Sequence, residues 1–122
     1  MARYEARPWR HLYRTAAWRH LRAAQIAAKP LCEWCLRDGV VNDGALLPGG
    51  DPQPAPKLRV LIVDHKIPHK GDHALFHDPG NLQTLCKPHH DRHKQREEIR
   101  GYSEARGLDG WPIDPAHPAN RA

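Results

Sequence analysis

The sequence is short of the residues that fill large cores, with one Phe and one Met among 122 residues. A chain of this length suits one small domain, and so modest a core calls for an added cross-link. No stretch approaches the roughly 18–20 uninterrupted apolar residues of a membrane-spanning helix, so such a span is excluded. The opening Met1-Ala2-Arg3-Tyr4-Glu5 lacks an apolar signal-peptide run, which argues against secretion and for the cytoplasm. Acidic side chains are outnumbered, 14 against 19 Lys and Arg, for a net charge of +5. That excess fits a polyanionic partner, while 39% hydrophobic and 27% charged residues fit a folded, soluble chain rather than a disordered one. Cysteine is scarce and odd in number, three in all, so the thiols cannot all pair in intramolecular disulfides. In a reducing compartment, clustered cysteines more often bind metal. Histidine, by contrast, is abundant at ten, and the combination reads as a metal protein.

The chain divides into three parts: a basic N-terminal segment with a helix (1–30), a core (31–100) with a flexible loop at 42–57, and a Pro-rich tail (101–122) that wraps the body or is disordered. Thr15 to Ala28 is helix-like, with Ala17, Trp18, Leu21, Ala24 and Ala28 on one stripe, Thr15 as N-cap and Pro30 as stop. Ile26 falls off that stripe. Leu58 to Val63 is the best strand and Leu82 to Leu85 the next, each with β-type composition. Pro68 to Gly80 reads as a polar loop, because Pro68, Gly71 and Pro79 interrupt any helix, and so His69, His73 and His77 read mostly as solvated loop histidines, with His69 the one kept in reserve as a candidate. From about Pro88 to Arg100 the composition turns helical, with Glu97 and Glu98 balancing Lys94 and Arg100. Trp9, Trp18 and Trp34 read as core anchors. A two-stranded hairpin alone is marginal in water, so the helices and a metal must support it.

Cys32-x-x-Cys35 and Cys86-x-x-His89 each offer two ligands at a spacing that lets both reach one ion. Together they form a Cys₃His set suited to structural Zn²⁺, with His90 the neighbouring alternative to His89. Such a zinc ties the knuckle to the last helix, and its binding energy counts as folding energy. Val63-Asp64-His65-Lys66-Ile67-Pro68 follows the best strand. Adjacent side chains of a regular strand point to opposite faces, so a shared site for Asp64 and His65 requires the chain to leave strand geometry there. Asn81 precedes the second strand, where a plain turn residue is the alternative. His90 opens the last helix, with His93 and Lys94 one turn later. Arg19, Arg22, Lys66, Lys70, Lys87, Arg92 and Lys94 are candidates for DNA phosphate contacts, although the basic face of the first helix reads equally as solvated.

With these residues in view, the chain resembles the HNH nucleases, the family with a ββα-metal active site. The resemblance is carried by Asp64-His65, Asn81 and His90, set between Cys32-x-x-Cys35 and Cys86-x-x-His89. It is most similar to phage and prophage members encoded near DNA-packaging genes, in the stretches Asp64 to Asp72, Leu75 to Asn81 and Leu85 to Pro88. The likeness spans roughly Trp18 to Lys94, and Gly110-Trp111-Pro112 in the tail shares it. This chain has His89 where many relatives carry a fourth Cys, and His93 where they often carry Lys.

The resemblance implies an α+β fold, a small ββα-metal domain with an N-terminal helix and a structural zinc knuckle. It implies a metal-dependent DNA endonuclease or nickase of phage type, linked to DNA packaging and working beside terminase or other packaging proteins. His65 would be the general base, available as a neutral imidazole near pH 7. Asp64 and His90, with His93 as a possible third ligand, would hold a catalytic divalent ion, and Asn81 would pin the loop and orient His65 by hydrogen bonding. One carboxylate with imidazoles accepts Mg²⁺, Mn²⁺, Ni²⁺ or Zn²⁺. The alternative is a zinc-stabilised DNA-binding or packaging-scaffold module without catalysis, which would have no need of Asp64, His65 and His90 together.

Overall fold

A computed structural model describes residues 8–103 and 105–120, so residues 1–7 of the basic N-terminal segment and the last two of the tail lie outside the described residues. A 3-10 turn, Arg10–Arg14, leads into α1, Ala16–Ala28. The Thr15 hydroxyl caps α1 by accepting from the Trp18 backbone N–H at 3.1 Å. The short α2, Glu33–Arg37, follows from Cys32. After a long connection come β1, Leu61–His65; α3, His73–His77; β2, Leu82–Cys86; and α4, Lys87–Arg100. Pro88 sits in the first turn of α4, where its missing N–H costs nothing, and Gly101 ends the helix at φ 75°. The strands pair antiparallel, from Leu61 opposite Cys86 to His65 opposite Leu82.

Two apolar clusters clamp this hairpin. One joins Leu12, Trp18, Val63, Phe76 and Leu82, with Trp9, Tyr13, Leu21 and Ile26 packed against it. The other joins Leu85 with Cys32, Cys35 and Cys86, flanked by Trp34, Val40 and Leu61. Every position of β2 is buried, so the two-stranded sheet gains the cover that it lacks by itself.

Several expectations need correction. The buried side of α1 runs through Trp18 and Leu21 and includes Ile26, whereas Ala17, Ala24 and Ala28 are exposed. The best strand starts at Leu61 rather than Leu58, because β2 offers only five partners before α4 begins at Lys87; Pro56–Leu58 is a 3-10 turn instead. Asp64 and His65 therefore lie inside the strand, not beyond it. The Pro68 to Gly80 segment contains α3, capped by the Asp72 carboxylate accepting from the Ala74 and Leu75 amides. The 42–57 loop has no long element, yet it is tied back. Asn42 Oδ1 accepts from Gly44 and Leu46 at 2.8 and 3.0 Å, Asn42 Nδ2 donates to Leu46 O at 2.8 Å, and Leu46 bridges to Pro52. The tail folds on itself through Asp114, which accepts from Ser103 N at 2.7 Å, and Asn120, which donates to Pro112 O and Asp114 O.

Candidate active site and metal centres

Where β1 meets the start of α4, two sites share adjacent residues of one helix. His89 turns toward the knuckle and His90 toward β1, a step of roughly 100° set by 3.6 residues per turn.

The knuckle site gathers Cys32, Cys35, Cys86 and His89, all buried, with their ligand atoms within 4.8 Å of one another. His89 Nδ1 lies 3.4 Å from Cys32 Sγ and 3.5 Å from both Cys35 Sγ and Cys86 Sγ, and the Cys35 and Cys86 sulfurs are 3.9 Å apart. A tetrahedral zinc with ordinary Zn–S and Zn–N lengths requires about 3.8 Å between sulfurs and about 3.6 Å from sulfur to nitrogen. The observed separations are close to those values, so the four side chains could hold such an ion, and His89 rather than His90 completes the set. The hydrogen bond from Cys86 holds the Cys32 thiol down to about 4, and giving that bond pushes Cys86 up. Burial likewise pushes Cys35 up. A dication bound there would favour all three sulfurs as thiolates. Asn42, unremarked in the sequence, donates from Nδ2 to Cys35 Sγ at 3.5 Å, an outer contact of the kind that fixes a metal ligand.

On the other side of α4, Asp64 Oδ2 faces His90 Nδ1 at 3.2 Å. Both atoms are buried, and neither has hydrogen-bond geometry to a partner. A carboxylate oxygen and an imidazole nitrogen left in this way suit a shared cation, so the residues fit the divalent ion expected of them. Burial works against a charged Asp64, yet the contact with His90 and the charge of Lys94 outweigh it and hold the carboxyl below its ordinary range. His93 is placed differently. Its Nε2 is 2.6 Å from Glu97 Oε1 and 3.2 Å from the His65 carbonyl, but 4.0 Å from Asp64 Oδ2. Surrounded by acceptors, Nε2 carries a hydrogen, and His93 braces α4 against the β1 backbone. Glu97, read from the sequence as one of a set of balancing charges, is in fact nearly buried against His93.

The ring of His65 packs against α1 and α3. Trp18 stacks on its ring at 5.5 Å and 24°, and Phe76 lies at 5.0 Å. The Phe76 carbonyl, 3.1 Å from His65 Nε2, can only accept. It therefore fixes the hydrogen on Nε2 and leaves the Nδ1 lone pair as the basic atom. Burial pushes the His65 pKa below 6.5, so the ring is neutral at physiological pH. Asn81 pins the intervening loop but makes no hydrogen bond to His65 itself. Its Oδ1 accepts from Ile67 N at 2.9 Å, and its Nδ2 donates to Ile67 O at 3.0 Å and Leu75 O at 3.1 Å. Asn81 bonds Leu75, and the neighbouring Phe76 carbonyl bonds His65, so the two side chains are linked only through the loop backbone.

Asp64 and His65 both reach a cleft of about 440 Å³ that Trp9, Tyr13, His69, Lys70 and Lys94 help to line. Arg22 and Lys94 border Asp64 and His90 on a neighbouring surface. Lys70 takes φ 48°, a strained conformation for a residue other than Gly. Of the candidate phosphate contacts, Arg22, Lys70 and Lys94 thus gather here. Lys66 lines a separate groove with Leu36 and Arg106, Lys87 pairs with Asp91 at 2.6 Å, Arg19 donates to the Arg14 carbonyl, and Arg92 is exposed on α4. His73 and His77 sit together on α3, outside the Cys₃His cluster, with His77 Nδ1 against the His73 carbonyl and its ring on Phe76 at 4.9 Å.

A hairpin and helix closing on an acid–imidazole pair, stapled by a zinc-type Cys₃His cluster, define the ββα-metal class of small α+β domains. Among solved structures, the chain matches the HNH endonuclease of the deep-sea thermophilic bacteriophage GVE2, determined with a manganese ion. The match has 28% identity and a TM-score of 0.54, and covers 84% of this chain and 99% of that one. The chain is thus similar in fold and over most of its length to an HNH endonuclease. No protein-family model matches the sequence, and no curated protein does.

Proposed function

We propose that this protein hydrolyses phosphodiester bonds in DNA with a divalent ion at Asp64 and His90, His65 acting as general base. The observation that carries the reading is the fixed tautomer of His65: a neutral, buried imidazole with its basic nitrogen free, one residue from an ion-ready carboxylate. When bound, the ion would supply positive charge against the scissile phosphate and the departing 3′-oxygen. Nδ1 of His65 takes the proton of the attacking water, while the Phe76 carbonyl holds the ring and Asn81 holds the loop that presents that carbonyl. Arg22, Lys70 and Lys94 neutralise backbone phosphates at the rim, contacts that position a duplex without reading its sequence. One base beside one ion site acts on one strand at a time, so the expected product is a nick.

Manganese in the matched phage nuclease supports Mn²⁺ or Mg²⁺ as the working ion, and its source supports a phage-type enzyme acting in the cytoplasm of a bacterial or infected host cell. Among the described residues no helix is long and apolar enough to cross a membrane. A partnership with terminase or other packaging proteins belongs to the same proposal and rests on the sequence resemblance. The deciding experiment is a supercoiled-plasmid assay with added Mn²⁺ or Mg²⁺, run beside His65→Ala and an EDTA control. Nicking by the wild type, lost with EDTA and absent in the mutant, is the expected result. A wild type that binds the plasmid and never cuts it under any metal would sink the endonuclease reading.

A further inference from the structure

A groove of about 910 Å³ runs between the α1–α2 corner and the tail, and it shares no lining residue with the cleft of Asp64 and His65. Leu36, Leu108 and Ile113 line it together with four cations, Lys29, Arg37, Lys66 and Arg106. Leu36 on α2 is half exposed, and Leu108 on the tail is fully exposed. Exposed singly, such leucines would call for no account; gathered on one concave, basic surface they mark a contact site.

Both walls hold their shape. On one side, α2 carries Cys35, buried in the Cys₃His cluster. On the other, the tail turns back on itself. Arg106 bridges to Pro112, Gly107 N–H donates to the Trp111 carbonyl at 2.9 Å, and Gly110 makes the turn at φ 79°. Arg106 Nη1 donates to the Gly110 carbonyl at 2.9 Å, which ties the guanidinium to that wall. A preformed groove leaves less ordering for a partner to impose.

The charges are unbalanced. Among the described residues, no carboxylate lies within ion-pair distance of any of the four cations. The one carboxylate in the lining, that of Glu33, is committed elsewhere, its Oε2 accepting from Thr84 N at 2.6 Å. Four such cations attract an anion. The aliphatic side chains among them do not suit a phosphate backbone, which has a polar outer edge and nothing to cover them with. A peptide that mixes carboxylates with aliphatic side chains satisfies both, steered by charge and held by apolar burial.

We propose that this groove docks an acidic segment of another protein. Its carboxylates face Lys29, Arg37, Lys66 and Arg106, and its aliphatic side chains cover Leu36, Leu108 and Ile113. The surface lies apart from the cleft, so the proposal does not rest on the endonuclease reading.

Fluorescence anisotropy with the full chain and a labelled peptide, Asp-Glu-Leu-Asp-Glu-Leu-Asp-Glu, tests this. Saturable binding with a Kd on the order of 10–100 μM is expected of so short a segment. A peptide with Ser in place of each Leu should bind at least about tenfold more weakly, and one with Lys in place of each acid should not bind. Lys29→Gln with Arg37→Gln, and separately Leu36→Ser, should each weaken the first peptide by about fivefold or more. Both variants change exposed side chains, so melting should be unaltered, and plasmid affinity in EDTA should stay within about twofold of the wild type. Absence of saturable binding overturns the proposal. So does a Ser peptide that binds as well as the Leu peptide, since the surface is then a cluster of charge and nothing more. If the double variant loses plasmid affinity as strongly as peptide affinity, the surface is a DNA contact and the proposal fails. A chain that binds the peptide and never nicks supports the docking site and overturns the endonuclease reading alone.

Discussion

At the scale of single residues, the proposed chemistry depends on His65 being neutral and on which nitrogen carries its hydrogen. Burial lowers its pKa beneath 6.5, only partly offset by the Phe76 carbonyl and by Asp64. The base works deprotonated, so the nicking rate should be flat above neutrality and fall as pH drops through a limb centred below 6.5. A rate profile at saturating Mn²⁺ checks this; an acid limb centred above 6.5 would contradict the burial argument. The sequence singled out Asp64, His65 and His90 by residue type and spacing, and the fold brings Asp64 against His90 and lines one cleft with Asp64 and His65. Tyr13 and Glu97 were not singled out. A tyrosine in a basic segment and a glutamate in a charged helix look ordinary until folding brings Tyr13 to His69 and Glu97 to His93. The position of His93 was likewise beyond periodicity, which puts it one turn from His90 but does not say that the β1 backbone lies in the way.

At the scale of elements, the hairpin loop decides whether the base is held. Asn81 is buried, and its three hydrogen bonds to Ile67 and Leu75 close the loop between the strands. Asn81→Ala should cost about 2–4 kcal/mol by leaving those buried groups without partners. It should also slow nicking by at least about tenfold while plasmid binding persists. Thermal melting and a plasmid assay on the same preparation would check both, and wild-type activity with a lowered melting temperature would remove Asn81 from the positioning of His65. Strand, loop, strand, helix was readable as an order, but the edges were not. An apolar run such as Leu58 to Val63 shows where a strand is favourable; the length of its partner decides where it starts, and here β2 has five residues. The one-turn α3 was hidden by the flanking Pro68, Gly71 and Pro79, and it rests on the Asp72 cap more than on any helical periodicity.

At the scale of the whole molecule, the Cys₃His staple joins segments more than fifty residues apart and closes the second apolar cluster around Leu85. Cys35→Ser removes one ligand and leaves the other three buried. The variant should lose its zinc, by elemental analysis, and melt well below the wild type or fail to fold, since metal binding and folding are one equilibrium in such sites. A variant with unchanged metal content and stability would refute the structural-zinc assignment. The spacing of two x-x pairs made this staple legible; Asn42, which secures both the 42–57 loop and Cys35, was hidden because an Asn-Asp-Gly sequence reads as a turn and nothing more.

His89 and His90 are neighbours on one helix, the first facing the staple and the second facing Asp64. Under the proposed function, supply of one element would govern the use of another: in a zinc-starved cell the chain would accumulate with His90 unplaced, and no excess of manganese or magnesium would arm it. DNA would then be spared until the staple is loaded, and the dose of active cutter would follow zinc uptake rather than the rate of synthesis.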